Sequence, residues 1–297
     1  MSDIIFSRQI SGIFAQEALR QADFPMAARH FHENLELYFM LEGERYYFVD
    51  QDTYHLQPGI AILVNRNQIH KTSKVSAKSG HHRFMLHLDA AVLDSLFSLP
   101  SVPSIKAIGD NYWGVAEFSA EDWQLAGQLM DLLKKEMKLD TAESDGISLL
   151  LAIQLLLLFV RNRKDRSITE YKHQLSDHKV NTGIYQKIHE IALYLQNHCS
   201  EPCTLDMLSA HFYISGSYLT RVFKSVTGFT VTEYLTVCRV RKAKQLLCDT
   251  GISITEIAAI CGFGNITYFE RVFKRITEYT PLQYRKAITI PENRIQK

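Results

Sequence analysis

Arg221 and Arg271 stand fifty residues apart in segments built to one plan. Aligned on Ser215 and Asn265, SGSYLTRVFK and NITYFERVFK share Tyr-[Leu/Phe]-x-Arg-Val-Phe-Lys in register. Helical spacing puts Leu219, Val222 and Phe223 on one apolar face, and Phe269, Val272 and Phe273 likewise. The opposite face carries Ser217, Thr220, Arg221 and Lys224 in one copy, and Ile266, Thr267, Glu270, Arg271 and Lys274 in the other. A guanidinium can grip a guanine edge or a phosphate with two parallel hydrogen bonds. Lys224, Arg241, Lys242, Lys244, Lys274 and Arg275 suit backbone phosphates. A half-buried helix with such a polar edge is short enough to enter a major groove by its N-terminal half.

A second set lies near the N-terminus, in His30-x-His32-x3-Glu36-x6-Gly43. On a strand, residues 30, 32 and 36 share parity and point to one face, while Leu35, Leu37, Phe39 and Leu41 line the other. With His70 arriving from a later strand, two histidines and a glutamate make a plausible metal set. The same residues could instead line a small-molecule pocket or hydrogen-bond one another with no ligand. Nothing in the spacing of His81, His82 and His87 forces a role.

The elements that must position these residues can be read in outline. Thr204 caps a short helix before Ser215, and Ser253 with Glu256 forms a capping box before Asn265. Each short helix runs through a tight turn, helped in the second copy by Gly262, into its arginine-bearing partner. That is two helix-turn-helix units, joined by a rod over 230–249 whose own capping box is Thr230-x-x-Glu233. If the rod holds the two helices on one face, they could enter successive major-groove turns, about 34 Å apart. Residues 28–90 read as short strands broken at Gly43, Asp50–Asp52, Pro58–Gly59 and Asn65–Asn67, which favours a barrel or sandwich. Near 119 the period becomes helical, with Ser119-x-x-Asp122 as a capping box, and a second, mostly apolar helix covers 145–161. These two helices either form a dimer interface or cover one end of the barrel. Residues 162–181 are polar and aperiodic and read as a linker.

Composition agrees with this division. Residues 181–297 hold 14 Lys and Arg against 9 Asp and Glu, net +5, and the remainder 19 against 23, net −4. Only the C-terminal part therefore suits a polyanion. All five cysteines lie there, without zinc spacing, and read as reduced thiols of a cytoplasmic protein. The N-terminus lacks a signal-peptide pattern, and the longest apolar run, 147–160, is shorter than the ~20 residues that span a bilayer, so no membrane is expected.

Over about 185–286 the chain resembles the AraC/XylS family of bacterial transcription regulators. The residues that carry this include Leu205-x-x-Leu208-Ser209, Ser215-x-x-Tyr218-Leu219-x-Arg221-x-Phe223-Lys224, Arg239-Val240-x-x-Ala243, Ile254-x-Glu256-Ile257-Ala258, Tyr268-Phe269-x-Arg271-x-Phe273-Lys274 and Thr280-Pro281. Where the family usually has a glycine after the threonine, this chain has Glu278-Tyr279. The resemblance implies that Ser217, Thr220, Arg221, Ile266, Thr267 and Arg271 face bases, with Ser215, Lys224, Asn265, Lys274 and Arg275 toward phosphates. Over about 28–90 the chain also resembles the cupin-like sensor of the same family. That implies an effector pocket lined by His30, His32, Glu36, Tyr38 and His70; if a metal bound at all, His30, His32, Glu36 and His70 would hold it.

The expected fold is thus α+β in two domains. A cupin-like β-barrel with two helices (1–161, effector binding and dimerisation) and a linker (162–181) precede an all-α domain of seven helices with two helix-turn-helix motifs (182–290). The resemblance implies an effector-controlled regulator, more commonly an activator, acting as a homodimer on promoter DNA and contacting RNA polymerase. Sugars and related metabolites are common effectors in the family, and Tyr38, Tyr47 and His70 could stack on or hydrogen-bond one. No cofactor and no enzymatic activity are expected; the alternative is a cupin-type metalloenzyme domain fused to a DNA-binding module.

Overall fold

The computed structural model describes residues 2–20, 34–66, 68–75, 80–96, 102–163, 182–277 and 279–289. The predicted linker falls almost wholly outside them, as do His30 and His32. The chain forms two compact units, 1–182 and 183–297.

Among the described residues, the first unit holds nine strands: β1 (Ser2–Ile10), β2 (Ile13–Arg20), β3 (Leu35–Gly43), β4 (Arg45–Val49), β5 (Asp52–Leu56), β6 (Ile60–Val64), β7 (His70–Lys74), β8 (His81–Leu88) and β9 (Gly114–Glu117). They pair antiparallel in a six-stranded sheet, β1-β2-β8-β3-β6-β9, and a three-stranded one, β5-β4-β7. Central strand β3 is paired on both edges and buried on both faces, which explains the apolar run over 37–41. Leu35, Leu37 and Phe39 join a large core with the helices. Tyr38 and Met40 point the other way, into a core between the sheets that includes Tyr47, Val49, Tyr54, Ile62 and Met85. Turns fall where the punctuation predicts, with φ of 77° at Gly43, 52° at Asp50 and 90° at Gly59.

Among the described residues, four helices cover the sheet: α1 (Ala90–Leu96), α2 (Ile105–Tyr112), α3 (Ala120–Glu136) and α4 (Ala142–Asn162). The sequence predicts only the last two, and no strand before residue 28. The apolar run of α4 belongs to a 21-residue helix, long and apolar enough by itself to cross a membrane. Its Leu155, Leu156 and Phe159 are fully buried in the core beneath the sheet, while Ile147 and Leu150 remain 44% and 55% exposed. The predicted box at 119–122 is half formed. Ser119 accepts from the Asp122 amide, but the Asp122 carboxylate turns to Arg161 and Asn162 at the end of α4. Asn162 returns the bond by accepting from the Ser119 amide at 3.2 Å. The C-terminus of one helix thereby secures the N-terminus of the other.

The second unit comprises α5 (Thr182–Asn197), α6 (Leu205–Phe212), α7 (Gly216–Thr227), α8 (Val231–Asp249), α9 (Ile254–Ile260), α10 (Ile266–Thr277) and α11 (Pro281–Thr289). Thr204, Ser215, Thr230 and Ser253 cap α6 to α9, and both predicted boxes, Thr230/Glu233 and Ser253/Glu256, are complete. Gly262 turns at φ 80°, where a Cβ would stand 2.6 Å from the Ser200 carbonyl oxygen, so no other residue fits without backbone movement. In the first motif Tyr213 takes the left-handed turn instead, at φ 54° and 94% exposed.

Candidate functional site

The internal repeat extends well past the recognition segments. Thr227 donates to the Phe223 and Phe229 carbonyls and accepts from the Phe229 amide; Thr277 makes the same three bonds with Phe273 and Tyr279. The threonine hydroxyl thus organises both exits, including the one where the family's glycine is missing. Thr280 and Gln283 then form a reciprocal box opening α11, fifty residues after Thr230 and Glu233. Phe223 meets Tyr234 edge-on at 5.4 Å, and Phe273 meets Tyr284 in the same way at 5.5 Å. Two copies of one scaffold therefore present two equivalent helices.

On these helices Leu219, Phe223, Phe269, Val272 and Phe273 are buried, and Val222 is half-buried. Ser217, Thr220, Arg221 and Lys224 are exposed on α7, as are Thr267, Glu270, Arg271, Lys274 and Arg275 on α10. Each arginine lies over the ring of the tyrosine three residues before it, Arg221 at 5.8 Å from Tyr218 and Arg271 at 5.5 Å from Tyr268. Stacking of this kind pre-orders the guanidinium at small cost. The α7 face borders a shallow depression lined by Leu205, Gly216, Ser217, Thr220, Arg221, Lys224 and Ser225. Ile266 is half-buried against the core of the second motif. The Ser215 and Asn265 oxygens accept from the Tyr218 and Tyr268 amides as helix caps.

Two α8 lysines that the sequence assigns to phosphates, Lys242 and Lys244, are engaged within the unit instead. Lys244 is 4% exposed, with its ammonium 5.0 Å above the Tyr284 ring. Lys242 donates to Ser200 at 2.6 Å, and Arg239 donates to the Cys199 and Glu201 carbonyls. Lys244 is withdrawn from any phosphate because the end of α11 covers it; Lys242 and Arg239 tie α8 to the chain after α5.

Between the sheets, Glu36 is 1% exposed. Its carboxylate accepts from the Tyr47 hydroxyl, meets His87 Nε2 at 3.0 Å and stands 3.6 Å from His70 Nε2. His70 Nδ1 is 2.9 Å from the Gln68 carbonyl oxygen, and its ring stacks on Tyr47. The structure thus brings together Glu36, Tyr38, Tyr47 and His70 of the residues named from sequence and adds His87. The role of His87 was not legible in sequence, because it follows from the register in which β8 places it opposite Glu36. Among the described residues, no group of three His, Cys, Asp or Glu is disposed to hold a metal ion.

Burial disfavours the charged form of His70, but the Glu36 carboxylate 3.6 Å away and the Gln68 carbonyl outweigh it, so its pKa is raised. Burial and Glu36 push the Tyr47 hydroxyl well above its ordinary value. Glu36→Gln is therefore expected to lower the His70 pKa, since burial then acts against a weaker partner. A raised folded pKa stabilises below the unfolded value and is lost as pH rises through the folded one. The stability deficit of Glu36→Gln should then be larger at pH 6 than at pH 9. Histidine ring-proton titration by NMR and melting at the two pH values check this; an unmoved His70 would refute the pairing.

Comparison with known proteins follows the same division. Residues 14–159 match the family described as AraC-like ligand binding domain, and 208–287 match the helix-turn-helix domain family. The chain is 26% identical over 263 residues to the HTH-type transcriptional activator RhaR of Cronobacter sakazakii, covering 87% of each chain. It is 32% identical over 121 residues to the xylose operon regulatory protein of Escherichia coli, 41% of this chain and 29% of that one. Among solved structures, the C-terminal domain of AraT from Geobacillus stearothermophilus is 32% identical, with 36% of this chain and 89% of that chain covered and a TM-score of 0.34. With a sheet-rich ligand-binding unit followed by a duplicated helix-turn-helix unit, the chain belongs to the AraC family of transcriptional regulators.

Proposed function

We propose that this regulator reads a two-part operator with α7 and α10 and is controlled by a small molecule held between the sheets of its first unit. The observation that carries the reading is the repeat itself. Two exposed arginines in identical register, each over a tyrosine, make one protein with two equivalent reading heads. Ser217, Thr220, Arg221, Thr267 and Arg271 read bases on this reading, with Ile266 reaching from its half-buried position. Lys224, Lys274 and Arg275 meet phosphates, together with the helix starts at Ser215 and Asn265.

Glu36, Tyr38 and His70 line the effector site, with His30 and His32 assigned to it from sequence. The effector shifts the population competent for DNA across the 162–181 segment. The apolar stripe of α4 around Ile147 and Leu150 is assigned to a homodimer, because exposed leucines and isoleucines on a helix favour burial against a second copy. Activation through RNA polymerase, sugar-type effectors and a cytoplasmic location are proposed alongside. They draw on relatives named as an activator and as a xylose operon regulator. On this reading the chain regulates and catalyses nothing.

Selection of bound fragments from random duplexes by the full chain tests the proposal. Two conserved half-sites about 10 base pairs apart are expected, one helical turn. Enrichment of a single half-site, or of no sequence, would overturn it.

A further inference from the structure

We propose that the effector is a small organic anion, whose carboxylate or phosphate is taken by Arg45, Arg83 and Arg20 beside the Tyr38 hydroxyl. The inference rests on the effector reading above and fixes its chemical class.

The interior between the sheets is polarised along β3. In the antiparallel register Glu36 lies opposite His87, Tyr38 opposite Met85, Met40 opposite Arg83 and Gly43 opposite His81. Arg20 of β2 lies opposite His81 in turn. The carboxylate and its histidines thus occupy one end and three guanidiniums the other, with Tyr38 between them. Arg45 is 3% exposed and Arg83 9%. Burying a guanidinium is costly, and proteins almost always repay it with a carboxylate.

Neither arginine has a carboxylate partner among the described residues. Arg45 donates from Nε to His81 Nδ1 at 3.0 Å. Arg83 donates to the Met85 sulfur at 3.3 Å and to Gln16 Oε1 at 2.6 Å, and lies 5.7 Å from the centre of the Tyr38 ring. Each guanidinium has five N–H donors, so most of this capacity is unspent on charge.

Two further observations point the same way. The Tyr38 hydroxyl is fully buried and has no hydrogen-bond partner among the described residues. It lies within electrostatic range of Arg83, Arg45, Glu36 and Arg20 together. His81 is held neutral, its pKa pushed down to about 3 by burial and then by Arg45, Arg83 and Arg20. The guanidiniums thus add to burial in disfavouring its charged form. Gln16 and Arg20 on β2 are half-buried beside this end. Glu36 at the far end repels a second negative charge, and its histidines suit a hydroxyl there.

The test uses the full chain and inorganic phosphate and malonate as probes, with chloride at matched ionic strength as the blank. Phosphate, malonate or both should raise the melting temperature saturably. Arg83→Met and Arg45→Gln should weaken the apparent affinity at least tenfold, while Arg221→Ala/Arg271→Ala leaves it unchanged. Malonate acting alone assigns a carboxylate effector, and phosphate alone a phosphate ester. Without added anion, Arg83→Met should melt no lower than the parent, because it removes an uncompensated buried charge. A guanidinium that merely holds the sheets together would instead cost several degrees on removal, and that result would overturn the proposal. So would the absence of any shift beyond the chloride blank. If xylose stabilises the protein and neither anion does, the effector reading survives and the anionic class fails.

Discussion

Arg221→Ala and Arg271→Ala should each weaken operator binding by about 1–3 kcal/mol, roughly ten- to a hundredfold. The double variant should lose close to the sum, because the two side chains sit on different helices in separate copies of the motif and share no partner. Folding should be untouched. Both guanidiniums are exposed, and their neighbours are tyrosine rings that stay solvated without them. Specificity should relax only at the base pairs that each arginine reads, so the two variants should blur different half-sites. Arg→Lys at either position should keep the charge and lose the two-pronged grip, restoring little. Lys274→Ala should instead lower affinity for all sequences alike and flatten the salt dependence by about one unit of slope. Fluorescence anisotropy against matched and scrambled duplexes, over a range of salt, separates these outcomes. Arginine variants that bind every duplex as the parent does would remove both helices from the interface.

How much of this was legible follows from what is local and what is not. Caps are local signals, so Thr204, Ser215, Thr230, Ser253 and Asn265 marked their helices to within a residue. Amphipathic spacing is nearly local, so the buried faces of α7 and α10 were readable as well. The repeat went further than the reading took it: TVTEYL and TPLQYR already hold Thr230/Glu233/Tyr234 against Thr280/Gln283/Tyr284. Lys244 was misplaced because a lysine among basic neighbours looks solvated until an aromatic ring from α11 is seen to cover it. In the first unit the limiting information was strand pairing. Parity placed Glu36 and Tyr38 on the inner face, but only register tells that His87 meets Glu36 and that Arg83 and His81 gather near Arg45. Two histidines and two arginines scattered over residues 45–87 carry no spacing signal.

Phe273→Ala and Phe223→Ala are expected to cost about 3–5 kcal/mol each, with the larger loss at Phe273. Both rings are fully buried and meet a tyrosine edge-on in the same geometry. Their surroundings differ in what the ring supports. The Tyr234 hydroxyl is also held by Gln196 at 2.7 Å, so it keeps an anchor when Phe223 is cut back. Tyr284 bears the Lys244 ammonium on its face, and Phe273 also touches Phe269 at 5.5 Å. Removing Phe273 therefore opens a cavity, loosens Tyr284 and leaves a buried cation with a poorer partner. Because the chain has two units, a single melting curve would mix their transitions. Hydrogen exchange resolves them: amides of α9 to α11 should lose protection in Phe273→Ala, with the strands of the first unit unchanged. DNA affinity should fall with protection in this variant, whereas Arg271→Ala loses affinity at full protection. That contrast distinguishes a residue that builds the reading head from one that reads; equal protection in both variants would mean that the phenylalanine core does not hold the second motif together.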